Sequence, residues 1–155
     1  MEINVTSINQ TFDNVEQTSQ IIVTLNGNPS DYSGDYLSSN VSVTSKDLPD
    51  GTSLDNVLDG VIETLARKKL EAYTTGAMPI RVSSIDRVYD QQTKLIANVV
   101  VSLVGNLTDG SGDYINCRTT ISKKDLPSGK SFAIMTAADF KVLAKAKLVE
   151  LTKVA

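Results

Sequence analysis

The feature that most constrains this chain is that one half of it recurs in the other. Lys46-Asp47-Leu48-Pro49 returns as Lys124-Asp125-Leu126-Pro127, 78 residues on. Asp31-Tyr32-Ser33-Gly34-Asp35-Tyr36 returns at the same spacing as Asp109-Gly110-Ser111-Gly112-Asp113-Tyr114. Val23-Thr24-Leu25-Asn26-Gly27 matches Val101-Ser102-Leu103-Val104-Gly105, and Lys69-Leu70 matches Lys147-Leu148. Before residue 15 the spacing shortens to 77, as in Ile3/Ile80, Val5/Val82 and Phe12/Tyr89, so the second copy carries one extra residue in or just after its first turn. Two copies are too few for a solenoid, whose repeats bury their faces only when three or more stack. The expectation is a fused pair, with one unit over 1–77 and the other over 78–155, sharing a core and related by an approximate two-fold axis.

Each copy reads as three strands followed by a helix. Alternation predicts strands over Ile3–Phe12 and Ile80–Tyr89, with Asp13-Asn14 and Asp90-Gln91 as hairpin turns. β-Branched runs predict second strands over Thr18–Leu25 and Leu95–Val104, and the continuous Val99-Val100-Val101 suggests a central strand covered on both faces. Third strands follow at Tyr36–Thr44 and Tyr114–Ser122. Pro49 and Pro127 then break the sheet, since proline cannot donate to a ladder. Ser53 predicts the N-cap of a first helix that carries Leu54, Val57, Leu58, Val61, Ile62, Leu65, Leu70 and Tyr73 as one apolar stripe, up to Gly76. Thr136 with Asp139 predicts a capping box for the second, which buries Phe140, Leu143, Ala144, Leu148 and Leu151. The predicted fold is α+β: a tandem βββα duplication forming antiparallel sheet with two amphipathic helices.

Absences narrow the chemistry. Among 155 residues there is no His, no Trp and one Cys. That excludes Ser-His-Asp and Cys-His catalysis, His-ligated metals, an internal disulfide and a thiolate cage. A net charge of −3 argues against binding nucleic-acid phosphates. No run of 18 apolar residues exists to span a membrane, and the first residues carry no basic or apolar leader, so no signal peptide is expected. Cys117, matched by Ser39 in the other copy, reads as a structural thiol.

Gly129-Lys130-Ser131 resembles the end of a phosphate-binding loop, but Lys124 stands where that pattern needs glycine, and a capped turn explains the residues. The recurring Asp-x-Ser-Gly-Asp-Tyr loops are the candidate partner-binding surface, through Asp31, Asp35, Tyr36, Asp109, Asp113 and Tyr114. Their carboxylates lack the bidentate Glu of a dedicated Ca²⁺ site, so no metal, cofactor or catalytic residue is assigned. The competing explanation is an Asx-rich turn with Gly34 and Gly112 at positive φ. On that account Asn should replace Asp35 or Asp113 with little loss of stability.

An Asn-, Thr- and Asp-rich, duplicated small chain without His, Trp or a targeting signal resembles the accessory and structural proteins encoded by phages and prophages of Gram-positive bacteria. The resemblance implies a viral, non-enzymatic assembly or virion-associated protein in the host cytoplasm or the particle, acting by self-assembly or on a protein partner. It carries over no site residue. The alternative is a counter-defence binding module that captures a host protein or small ligand at the seam between the repeats.

Overall fold

Asp13 and Asp90 close the two outer hairpins in the same way. Asp13 Oδ1 accepts the backbone N–H groups of Val15 and Gln17 at 2.9 and 3.0 Å, and Asp90 Oδ1 accepts those of Gln92 and Thr93 at 2.8 and 2.9 Å. The first turn joins β1 (Ile3–Phe12) to β2 (Thr18–Gly27). β3 (Tyr36–Val43) follows, and the second turn joins β4 (Ile80–Tyr89) to β5 (Ile96–Asn106), ahead of β6 (Tyr114–Ile121). Residues 13–17 make the first turn and 90–95 the second, so the extra residue falls where the repeat spacing changes. Glu16 and Lys94, at φ 61° and 62°, supply the left-handed residue of each. The computed structural model describes residues 1–29, 31 and 33–154; Ser30, Tyr32 and Ala155, which include one position of the first candidate loop, lie outside the described residues.

All six strands form one antiparallel sheet in the order β1-β2-β3-β6-β5-β4. β3 and β6 weld the halves, with Tyr36 opposite Arg118, Ser38 opposite Asn116 and Asn40 opposite Tyr114. One face is apolar: Ile21, Val23, Leu25, Leu37, Val41, Val99, Val101, Leu103, Ile115 and Ile121 are fully or almost fully buried. Cross-strand neighbours share a face because side chains alternate, so the other face carries Thr24, Asn26, Ser38, Asn40, Ser102 and Asn116. The fold is α+β, with both helices on the apolar face. No helix among the described residues is long and apolar enough to cross a membrane.

The valine run sits in β5, which is interior but not central; β3 and β6 take the middle of the sheet. Val99 and Val101 face the helices, while Val100 is only 8% exposed on the opposite face, where no helix lies.

α2 (Ala137–Thr152) begins where the sequence predicts. Thr136 N–H donates to Asp139 Oδ2 at 2.8 Å and Asp139 N–H returns to Thr136 Oγ1 at 3.2 Å, satisfying two otherwise orphan donors. Phe140, Ala144 and Leu148, four residues apart, bury one face, and Leu143 and Leu151 are half-buried at its border. α1 (Asp59–Ala72) starts later than expected: Ser53 heads a turn, and Leu58 rather than Ser53 precedes the helix. The reason is tertiary. Leu54 anchors the turn in the core, and Asp55 reaches back to accept the N–H of Thr18 at 3.1 Å and its hydroxyl, holding 54–56 against the start of β2. The buried stripe is therefore Ile62, Ala66 and Leu70; Leu58 is 75% exposed, and Leu65 is only half-buried. A π-turn over Tyr73–Ala77 ends the helix, with Gly76 at φ 134°, a value that L side chains rarely adopt.

Between sheet and helix each half makes a short 3₁₀ turn capped by its own aspartate, Ser45–Asp47 and Lys123–Asp125. Thr44 N–H donates to Asp47 Oδ2 and Ser122 N–H to Asp125 Oδ2, both at 2.8 Å. A helix lysine completes each. Lys69 Nζ lies 3.1 Å from Asp47 and 2.6 Å from Ser42 O; Lys147 Nζ lies 3.0 Å from Asp125 and 2.8 Å from Thr120 O. These contacts tie each helix to the end of the strand beneath it.

Candidate functional site

The two Asp-x-Ser-Gly-Asp-Tyr loops build the same device. Asp31 Oδ1 accepts the N–H of Ser33 at 3.1 Å, and Asp109 Oδ1 that of Ser111 at 3.0 Å. Each serine hydroxyl then accepts the N–H of the second aspartate, Asp35 at 3.2 Å and Asp113 at 3.3 Å. Gly34 at φ 81° and Gly112 at φ 78° make the reversal. A Cβ on Gly34 would also stand 2.6 Å from Arg118 Nη1, a flexible tip that can give way, so the positive φ is what asks for glycine there.

The reversal sends Asp35 and Asp113 across the junction between the halves. β3–β6 pairing stops at Asn40 opposite Tyr114 and at Tyr36 opposite Arg118. Two residues beyond each end, a strand N–H has no strand to meet, and a carboxylate takes it instead. Asp113 accepts Ser42 N–H at 2.9 Å and Ser42 Oγ–H at 3.0 Å; Asp35 accepts Thr120 N–H at 3.0 Å and Thr120 Oγ1–H at 2.6 Å. A charged acceptor makes these stronger than neutral bonds.

What completes each carboxylate differs. Asp113, 2% exposed, also accepts the phenol hydroxyl of Tyr73 from the end of α1. Burial, then the hydrogen bond to Asp113 and its charge, pushes the Tyr73 phenol well above its ordinary value, so it stays a neutral donor. At the place matching Tyr73, 78 residues on, α2 has Leu151. Asp35 instead has Arg118, whose Nη1 lies 3.7 Å from Oδ1 and donates to Ser33 O at 3.0 Å. The position matching Arg118 is Asn40, whose Oδ1 accepts from Thr24 Oγ1 at 2.9 Å.

The six candidate residues are therefore spread over three environments. Asp35 and Asp113 turn toward the helix-covered face, Asp31 and Asp109 are exposed turn acceptors, and Tyr36 and Tyr114 stand on the opposite, polar face. Tyr36 is 40% exposed and Tyr114 half-buried. Among the described residues no group of three carboxylates or thiols could hold a metal ion. Gly129-Lys130-Ser131 lies in a turn leading to a short 3₁₀ segment at Phe132–Ile134, well before α2, so its N–H groups do not form a helix-start phosphate cradle. Cys117 is buried; burial, then the nearby Asp35 charge, pushes its thiol up to about 12, keeping it protonated and unreactive at neutral pH.

A cavity of about 320 Å³ opens beside Asp35, lined among others by Cys117, Arg118, Lys147, Leu148 and Leu151. Met1, Pro29, Asp31 and Asp35 reach it from the first half and the others from the second. A wider depression of about 510 Å³ lies between the Tyr73–Ala77 turn and α2, with Thr74, Thr75 and Lys145 but no carboxylate. Sequence reading singled out Asp35 and Asp113 as partner contacts but gave no site role to Tyr73, Arg118, Ser42, Thr120 or Lys147, which surround them inside the fold. The available signal was where the copies differ, Tyr73 against Leu151 and Asn40 against Arg118, rather than where they agree.

The aspartates give stability a defined pH dependence. Asp31 and Asp109 are held below the usual carboxylate range by the hydroxyl and then the N–H of Ser33 and Ser111, and Asp139 by the N–H of Thr136. Burial alone would raise Asp125, but Ser122 N–H and the Lys147 ammonium outweigh it and hold it low. A carboxyl depressed in the folded state stabilises it fully above the unfolded pKa of about 3.9 and loses that contribution as pH falls through the folded value. Urea midpoints should be nearly level from about pH 5 to 8, since the chain has no His, and fall progressively below about pH 4. A stability step between pH 5 and 8 would contradict this.

Compared with protein-family models, with curated proteins and with solved structures, the chain has no match.

Proposed function

We propose that this chain is a non-enzymatic assembly protein, and that β1 pairs edge to edge with β1 of a second copy. The observation that carries this is the difference between the two sheet edges. β4, Ile-Arg-Val-Ser-Ser-Ile-Asp-Arg-Val-Tyr, carries Arg81, Asp86 and Arg87, whereas β1, Ile-Asn-Val-Thr-Ser-Ile-Asn-Gln-Thr-Phe, carries no charge and no proline. Both strands have matching register shifts, so bulges protect them alike; charge is what β1 lacks. Edge strands are ordinarily blunted by charge, because their unpaired N–H and C=O groups template another strand. Antiparallel β1–β1 pairing is isologous and closes as a two-fold dimer, continuing one sheet across two molecules. Assignment to phages and prophages of Gram-positive bacteria, with action in the host cytoplasm or the particle, rests on the sequence resemblance.

Behind this stands a tandem βββα duplication, 1–77 and 78–155, with an approximate two-fold axis passing Ser38/Asn116 and Thr74/Thr152. On such an axis a residue meets its own counterpart. In support, Ser38 faces Asn116 across β3 and β6, and the hydroxyls of Thr74 and Thr152 share a hydrogen bond at 2.7 Å, each pair 78 residues apart. The Asp113–Ser42 and Asp35–Thr120 contacts exchange under the same relation.

Size-exclusion with light scattering should give twice the 16.7 kDa chain mass at about 100 µM, and Asn4→Lys/Asn9→Lys should give a folded monomer. Both asparagines are exposed on β1, so added charge repels a second copy without entering the core. A wild-type monomer at that concentration, or a dimer unmoved by the lysines, would refute edge pairing. A second reading, capture of a small ligand at the seam, is favoured by one observation: the cavity beside Asp35 is walled by residues of both halves.

A further inference from the structure

We propose that the cavity beside Asp35 takes a neutral phenolic ring, its hydroxyl donating to the Asp35 carboxylate as Tyr73 donates to Asp113. The proposal rests on the seam-capture reading and names the ligand chemistry. Its basis is a place filled in one half and open in the other. In the first half the helix supplies Tyr73, whose ring is buried and whose hydroxyl reaches Asp113 beside Ser42. In the second half the same helix position is Leu151, shorter and without a hydroxyl, and among the described residues a cavity of about 320 Å³ lies between it and Asp35. That is near the lower end of the range for small-molecule sites, which begins at roughly 300 Å³.

The groups around the cavity narrow its occupant to a neutral hydrogen-bond donor. Asp35 is acceptor-only, and Thr120 is the sole donor within hydrogen-bond distance of it among the described residues; Arg118 stands farther off at 3.7 Å. Lys147 is committed to Asp125 and to Thr120 O. Two carboxylates, Asp31 and Asp35, share the wall with the Arg118 guanidinium, the Lys147 ammonium and Met1, so an ion of either sign meets like charge there. An added anion would meet both aspartates, and an added cation would meet the guanidinium and the ammonium. Leu148 and Leu151 give the ring apolar walls, with Met1 and Cys117 beside them.

The probe is p-cresol, which is the tyrosine side chain as a free molecule, with toluene as the same shape lacking the hydroxyl. Backbone amide shifts of the full chain should move saturably around Asp35, Cys117 and Leu151, with a dissociation constant on the order of 1 mM, as expected for so few atoms. Toluene should bind at least fivefold more weakly. Leu151→Tyr should fill the cavity from within, raise the denaturation midpoint and weaken p-cresol at least tenfold. Tyr73→Leu should open the matching place beside Asp113 and add a second set of shifting amides. If toluene binds as well as p-cresol, the hydroxyl is irrelevant and the phenol proposal falls while seam capture stands. If neither moves the seam amides and Leu151→Tyr brings no stabilisation, seam capture falls as well. Unweakened p-cresol binding to Leu151→Tyr puts the ring elsewhere and also overturns the proposal.

Discussion

Phe140→Ala should lower the unfolding free energy by about 3–5 kcal/mol, as truncation of a buried phenylalanine does where the surroundings cannot close over the space. The side chain is 0% exposed and is the largest of the fully buried set. Phe132 packs near it with ring centroids 6.3 Å apart, and the Arg87 guanidinium covers its face at 5.4 Å. Those two partners come from a 3₁₀ turn and an edge strand, so the loss loosens three elements at once. Most domains hold only about 5–15 kcal/mol in total, which makes this a large fraction. Urea denaturation of Phe140→Ala beside Leu143→Ala gives the comparison. Leu143 is only half-buried and should cost clearly less. Equal midpoint shifts would place the core of α2 one position away from the stripe described above.

Asp113→Ala should cost about 2–5 kcal/mol, because it leaves the Ser42 N–H and the Tyr73 hydroxyl without an acceptor in a buried place, and each such group costs about 1–3 kcal/mol. Asp113→Asn should cost about 1 kcal/mol: its oxygen still takes Ser42 N–H, and the two hydroxyls can turn to accept from the amide, but the charge assistance is gone. Asp35→Ala should cost less than Asp113→Ala, since the Asp35 side chain is 16% exposed and water can reach what it leaves. Turn propensity alone makes Asn and Asp equivalent at these positions. The structure changes that expectation, because the second aspartate of each loop spends its carboxylate on a strand of the other half rather than on its own turn. Chemical denaturation of the three variants measures the order. A loss under about 0.5 kcal/mol for Asp113→Ala would mean that water already serves Ser42 and Tyr73.

Much of the local structure is legible in the residues. Alternation and β-branching locate all six strands, with β1 and β4 matching end to end, and Asp13 and Asp90 mark the hairpins. Thr136 and Asp139 locate the start of α2, because a capping box is satisfied within four residues of chain. The first helix shows where such reasoning ends. Ser53 has the chemistry of a cap, but Asp55 finds Thr18, 37 residues back, and that bond keeps the turn from continuing as helix.

The candidate loops divide in the same way. Local hydrogen bonds of Asp31 with Ser33 and of Asp109 with Ser111, and glycines at positive φ, follow from residue type and spacing of two or three. That Asp35 and Asp113 end each other's strand ladders depends on β3 meeting β6, a pairing between residues about 78 apart. No periodicity encodes that partnership. It comes from burying the one apolar face of the joined sheet under two helices at once, and the free energy for it belongs to the assembled core. The same holds for the cavity beside Asp35. A leucine in place of a tyrosine is visible in the sequence, but the space it leaves exists only once α2 has been laid across the strands.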